Sequence, residues 1–172
     1  MSKPSSTIKI REWSRDDDIS RITEVLHCAY AQLAELGFRY HATWQGDDVT
    51  LQRLSSGISY LAIDQELIVG TITLRVPPNV SGCSWYDRGD VASFGQFGVD
   101  PSYQKNGIGS RLVEVVETET KKRGISNLAI DTAEGAEHLI EIYNRRGYKF
   151  VGYADWDITN YRSVIMNKEF KI

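Results

Sequence analysis

Val91-Ala-Ser-Phe-Gly95-Gln-Phe-Gly-Val99-Asp100-Pro101-Ser-Tyr-Gln104-Lys-Asn-Gly107-Ile-Gly109-Ser110 is the stretch on which the fold turns. Its first nine residues are rich in β-branched and aromatic side chains and read as a strand. Gly95 and Gly98 are costly in a regular strand, so they mark a bulge or the close approach of another group. Asp100-Pro101 ends the strand, because proline has no N–H to give to a sheet ladder. Past the Gln104 to Ser110 loop, Ile108, Leu112 and Val116 recur every four residues on one helical face. Lys121-Lys122-Arg123-Gly124 closes that helix, with positive charge at the negative end of the dipole and a glycine for a left-handed cap. A glycine loop feeding a helix start gathers backbone N–H groups around one point. That is a site for an anion, most often a phosphate.

Upstream, Thr7 to Arg11 alternates like a first strand, and Ser14 with Asp16-Asp17-Asp18 suits a helix start. Ile19, Ile22, Leu26, Ala29, Leu33 and Leu36 then form one apolar stripe, ended by Gly37. Phe38 to Gly46 is irregular and aromatic-rich, and Asp47 or Asp48 is expected to cap a short helix over Thr50 to Leu54. Ile58 to Ile63 and Leu67 to Val76 read as a hairpin stopped by Pro77-Pro78, and Asn79 to Arg88 as a polar loop. Downstream, Asn127 to Asp131 is a short buried-type strand, parallel to Val91–Val99 because a helix joins them. Glu137 to Arg146 is helical. Tyr148 to Ala154 and Ser163 to Phe170 are final strands around an exposed loop, Asp155 to Tyr161. The order predicts a mixed α/β (α+β) arrangement about one twisted sheet.

With 172 residues the chain is expected to form a single domain over 1–172, with residues 1–6 as a flexible polar tail. A net charge of −3 with no basic run argues against a nucleic-acid surface. No apolar run has the length of a membrane span and no secretion signal is visible, so a cytoplasmic location is expected. Cys28 and Cys83 form no disulfide framework or metal spacing, and His27, His41 and His138 do not cluster. No metal is expected.

Three interpretations of the glycine loop compete. Gly107-Ile-Gly109 starts a dinucleotide fingerprint with Asp131 as the ribose ligand, but Leu112 stands where the third glycine belongs. A P-loop needs Lys-Ser or Lys-Thr after its last glycine, and the chain has Ser110-Arg111. In the third, Gln-x-x-Gly-x-Gly after a strand ending in Val-Asp-Pro resembles the acyl-CoA loop of the GNAT superfamily of N-acetyltransferases. Ile142-Tyr143-Asn144-Arg145-Arg146-Gly147-Tyr148 resembles the same family's tyrosine helix end. The resemblance spans roughly Ile8 to Phe170, with the two motifs at the family's usual separation.

That resemblance implies a sheet of about seven strands flanked by about four helices, its central parallel strands splayed. It implies that acetyl-CoA lies along Val91–Val99, with Phe97, Gly98 and Val99 meeting pantetheine like an added strand. Its pyrophosphate would rest on the loop residues Lys105, Asn106, Gly107, Ile108, Gly109 and Ser110. Gln104 would open that loop by side-chain hydrogen bonding, with Lys105 and Arg111 adding charge. Tyr143 stands at the family's general-acid position. The family's glutamate position on the splayed strand falls at Ser93, which is no base; Asp90, Asp155 and Asp157 are the nearby carboxylates, and the base stays unassigned. Tyr40, Trp44 and Trp156 are candidate walls of an acceptor pocket, with Ser93 beside it. The expected activity is N-acetylation of a primary amine, on a small molecule, by direct attack in a ternary complex. A non-catalytic acyl-CoA sensor and a dinucleotide-dependent enzyme are the alternatives. A homodimer is left open.

Overall fold

A computed structural model describes residues 7–172. Seven strands form one sheet in the order β1-β2-β3-β4-β5-β7-β6. They are β1 (Ile8–Glu12), β2 (Ile58–Asp64), β3 (Leu67–Arg75), β4 (Val91–Val99), β5 (Asn127–Ala133), β6 (Lys149–Asp155) and β7 (Arg162–Glu169). The helices are α1 (Ile19–Glu35), a single turn α2 (His41–Trp44), α3 (Asp47–Ser55), α4 (Ile108–Lys122) and α5 (Glu137–Arg145). A 3-10 turn at Pro101–Tyr103 joins β4 to the glycine loop. The expected fold class holds, with one more helical turn than expected, inside the aromatic segment after Gly37.

Some boundaries move for identifiable reasons. The cap of α1 is Asp18, whose carboxylate accepts from the Arg21 amide at 3.0 Å. The helix therefore begins after the acidic run and not at Ser14. Gly46 caps α3, which places Asp47 and Asp48 inside its first turn, where they complement the dipole instead of capping it.

The sheet is antiparallel except between β4 and β5. These two pair in parallel only at Val91↔Asn127, Ala92↔Leu128 and Ser93↔Ala129. Beyond Ser93 the ladder stops, and β4 runs on to Val99 without a partner on that side. On its other side β4 pairs with β3, with Thr71 opposite Gly98 and Thr73 opposite Gly95. Ile72 therefore faces two residues, Gln96 and Phe97, which is a β-bulge.

The residue with left-handed backbone at this bulge is Gln96, at φ 46°. Neither expected glycine takes that role. The buried Gln96 side chain holds the strained geometry, donating to the Thr50 carbonyl and accepting from Gln45 Nε2, both at 3.2 Å. Gly98 serves a different need: a Cβ there would stand 3.0 Å from that of Ala29, so the glycine lets α1 lie directly on β4.

Candidate active site

Two cavities lie on either side of the point where β4 and β5 part. The first, a groove of about 340 Å³, runs between β4, the loop before α4 and α1. Phe97, Gly98 and Val99 form its strand side, and Gln104, Lys105, Gly107, Ile108, Gly109 and Ser110 its loop side. The loop shapes itself from within. Gln104 Nε2 donates to the Val99 carbonyl at 3.1 Å, and Asn106 Nδ2 donates to the Tyr103 carbonyl at 3.1 Å. Asn106 thus folds the loop and does not line the groove. Lys105 and Gly107 both have left-handed backbone, at φ 64° and 75°. Alternation of this kind turns successive N–H groups toward one centre, a nest for an anion. No side chain caps α4, so its first amides are left for another acceptor. A side chain on Gly109 would meet the Phe97 ring at 3.4 Å, so glycine also keeps the groove open. Arg111, expected to add charge here, turns toward β1 and donates to the Ile8 carbonyl at 3.0 Å.

The second cavity, about 420 Å³, lies between the diverging strands and the loops above them. Tyr40, Ser93 and Trp156 line it. Trp44 does not: it lies partly exposed at the surface, packed on His41 and under the Arg39 guanidinium. The Tyr40 hydroxyl bonds Thr132 Oγ1 at 2.7 Å and accepts from the Ala133 amide at 3.0 Å, tying the aromatic segment to the free end of β5. Trp156 Nε1 donates to one oxygen of Asp131 at 2.9 Å, and the Tyr86 hydroxyl donates to the other at 2.7 Å. Asp131 is the single carboxylate among the described residues lining this cavity. Asp90 pairs with Arg88 on the surface, and Asp155 and Asp157 are exposed outside the cavity.

Sequence reasoning missed several residues here. Arg53 on α3 and Arg75 at the end of β3 both reach into the cavity. Arg53 Nη1 donates to Gln45 Oε1 at 2.6 Å. Burial and the neighbouring Arg75 charge push Arg53 down to about 10, and burial lowers Arg75 as well; both remain charged at neutral pH. Burial lowers His41, helped by both arginines, which favours its neutral form. The one sequence signal for Arg75 is its place two residues beyond Thr73, as the single charged residue of its strand. His27, expected on the helix surface, instead bonds the Gln45 carbonyl through Nε2 at 2.8 Å.

Tyr30, Leu139 and Tyr143 line both cavities. The Tyr30 hydroxyl donates to the Phe97 carbonyl at 2.8 Å, bracing the unpaired part of β4. The Tyr143 ring packs edge-on against Phe94 and Tyr148, with centroids 6.2 and 5.9 Å away. No described residue bonds its hydroxyl, and burial drives the phenol well above its ordinary value, so it keeps its proton. A phenol that keeps its proton thus stands where the groove meets the second cavity.

The model of the acetyltransferase (GNAT) family matches residues 10–148. The chain belongs to this family. It is 31% identical over 145 residues to S-(2-succino)cysteine N-acetyltransferase of Bacillus subtilis (strain 168), covering 80% of this chain and 82% of that protein. Among solved structures, a GNAT family acetyltransferase from Elizabethkingia anophelis with acetyl-CoA bound superposes with a TM-score of 0.69 at 18% identity, over 96% of this chain and 99% of that one. The PaiA N-acetyltransferase of Thermoplasma acidophilum, in complex with coenzyme A, gives 0.69 at 19% identity, over 95% and 99%. The chain is therefore an N-acetyltransferase of the GNAT family. Among its described residues no helix is long and apolar enough to cross a membrane, and no group of three or more His, Cys, Asp or Glu is placed to hold a metal ion.

Proposed function

We propose that this GNAT acetyltransferase moves the acetyl group of acetyl-CoA onto the primary amine of a small molecule by direct attack in a ternary complex. The observation that carries this reading is the meeting of the two cavities at Tyr143. The groove fits the donor: β4 offers unpaired backbone for pantetheine, and the nest from Lys105 to Gly109 with the uncapped α4 suits the pyrophosphate. The thioester then lies at the junction, and the acceptor occupies the 420 Å³ cavity, a volume suited to a small ligand.

The acceptor ammonium gives up a proton, and its nitrogen attacks the thioester carbonyl. The C–N bond forms while the C–S bond breaks, and the nitrogen loses a second proton as the amide forms. The leaving thiolate takes one proton, for which Tyr143 is the donor, so one proton is released overall. A backbone N–H of β4 near Phe97 or Gly98 serves the developing oxyanion. Asp131, fixed by Tyr86 and Trp156, faces the acceptor side and receives the ammonium.

Thermal melting with acetyl-CoA, CoA and NAD in parallel tests the donor. A ligand at a hundred times its dissociation constant adds about 2.7 kcal/mol, several degrees for a chain of this size. Shifts with acetyl-CoA and CoA but none with NAD are expected. A shift with NAD alone would overturn the reading. Thiol release with a panel of amines, S-(2-succino)cysteine among them, then separates an enzyme from a sensor.

A further inference from the structure

The second cavity carries an uncommon charge arrangement. Two arginine side chains enter it from separate elements and converge over Gly95. Arg75 Nη1 lies 3.5 Å, and Arg53 Nη2 3.7 Å, from the point where a Cβ on Gly95 would stand. Among the described residues, neither guanidinium makes an ion pair within 4.0 Å, and Arg75 has no hydrogen bond. Asp131 shares the cavity and attracts both arginines from a distance, while Tyr86 and Trp156 each donate to one of its oxygens. Two like charges held close together in a half-buried cavity are costly unless an anion joins them. Arg53 cannot swing away freely, because Gln45 holds it through the same buried network that supports the Gln96 bulge. Gly95 leaves the space between the two guanidinium groups open.

From this geometry we infer that Arg53 and Arg75 clamp carboxylates of the acceptor, so that the preferred amine is a small amino acid carrying an acidic side chain. The inference rests on the acetyl-transfer reading and names the acceptor class for that site. Guanidinium is suited to it: its planar donor fork matches a carboxylate in two parallel hydrogen bonds. The charges agree as well. Two fixed cations and one carboxylate complement a ligand with two carboxylates and one ammonium, the ammonium toward Asp131 and the carboxylates toward the arginines. A plain aliphatic amine would leave both arginines unmatched. The clamp therefore selects against uncharged and cationic amines as well as for acidic ones.

The test compares S-(3-carboxypropyl)cysteine, S-butylcysteine and S-butylcysteamine, amines of one thioether type with two, one and no carboxylates. For the intact enzyme, kcat/KM should fall at least tenfold at each loss. Arg75→Gln and Arg53→Gln should each raise KM for the acidic acceptor at least tenfold. Both should leave CoA affinity within twofold and lower turnover of the carboxylate-free amine far less than that of the acidic one; Arg75→Lys should recover part of the loss. Best turnover of the carboxylate-free amine, or equal losses on all three amines in the variants, would overturn the clamp. Should no amine in the series turn over, calorimetry of succinate with the CoA-bound protein decides: binding lost in the Arg53→Gln, Arg75→Gln double variant supports the clamp, and no binding to the intact protein overturns it. Failure of the intact protein to bind CoA would instead overturn the acetyl-transfer reading. Retained CoA binding in the variants also shows that they have folded.

Discussion

The two cavities meet at Tyr143, yet they are built on different principles. The groove is lined mostly by one continuous piece of chain, β4 through the start of α4, and in the proposed reading its recognition groups are amides. The proposed acceptor cavity is lined by residues from α1, α2, α3, β3, β4, β5, α5 and the loops after β3 and β6. Backbone recognition needs glycines at fixed spacing, and a side chain there obstructs it. Side-chain recognition needs a few polar groups brought together from distant positions. A change in the first should end donor binding, whereas a change in the second should alter which amine is used.

The largest effect is expected at the groove. Replacing Gly107 and Gly109 together by Glu places two carboxylates, one of them against Phe97, in a nest made for an anion. CoA binding should fall more than a hundredfold with the fold retained, seen as loss of the ligand-induced rise in melting temperature. Next is the junction. Tyr143→Phe keeps the packing on Phe94 and Tyr148 but removes the proton donor, so kcat should fall about 10²–10⁴-fold while CoA affinity holds. Stopped thiol release with normal CoA binding is the signature. If kcat survives, the proton comes from elsewhere and Tyr143 is only a wall shared by the two cavities.

This contrast also explains what could be foreseen. The strand, loop and helix from Val91 to Gly124 are legible because local rules govern them: proline stops, glycine loops and helical periodicity act within a few residues. The same locality made Gln104 readable as the loop's internal brace, which its bond to Val99 bears out. Gln96 was not legible. Nothing in its own neighbourhood favours left-handed backbone, and what holds it there comes from Gln45 and Thr50, far away in sequence. Arg53 and Arg75 escaped for the same reason, since an arginine ending a strand or a short helix reads as surface until Gly95 brings the two together. Trp44 misled in the opposite direction. An aromatic beside Tyr40 looked like a pocket wall, but the single turn of α2 carries it away from the cavity.

Two smaller effects sharpen the comparison through stability. Gly98→Ala would put a methyl group 3.0 Å from Ala29 and 3.4 Å from Leu26, forcing α1 off β4. A loss of about 1–3 kcal/mol is expected from urea unfolding, together with weaker CoA binding because α1 also forms the groove. The smallest effect lies at Asp100, which caps the turn after β4 and pairs with Arg21 of α1 at 2.5 Å. Burial alone would raise this carboxyl, but Ser102 and Arg21 outweigh it, and its value lies below the ordinary one. Its contribution is therefore complete above the unfolded-state value, near ~3.9, and is lost as pH falls through the lower folded value. Asp100→Asn should cost about 0.5–1 kcal/mol at pH 7, and the gap from the unaltered protein should shrink in melts at pH 3.

The central claim is that donor and acceptor are held by separable devices, amides in the groove and arginines in the cavity. Calorimetric titration of CoA into three proteins tests it most directly: the unaltered chain, Gly107→Glu with Gly109→Glu, and Arg53→Gln with Arg75→Gln. Binding is expected in the first and third and not in the second. Binding lost in both variants, or kept in both, would contradict it.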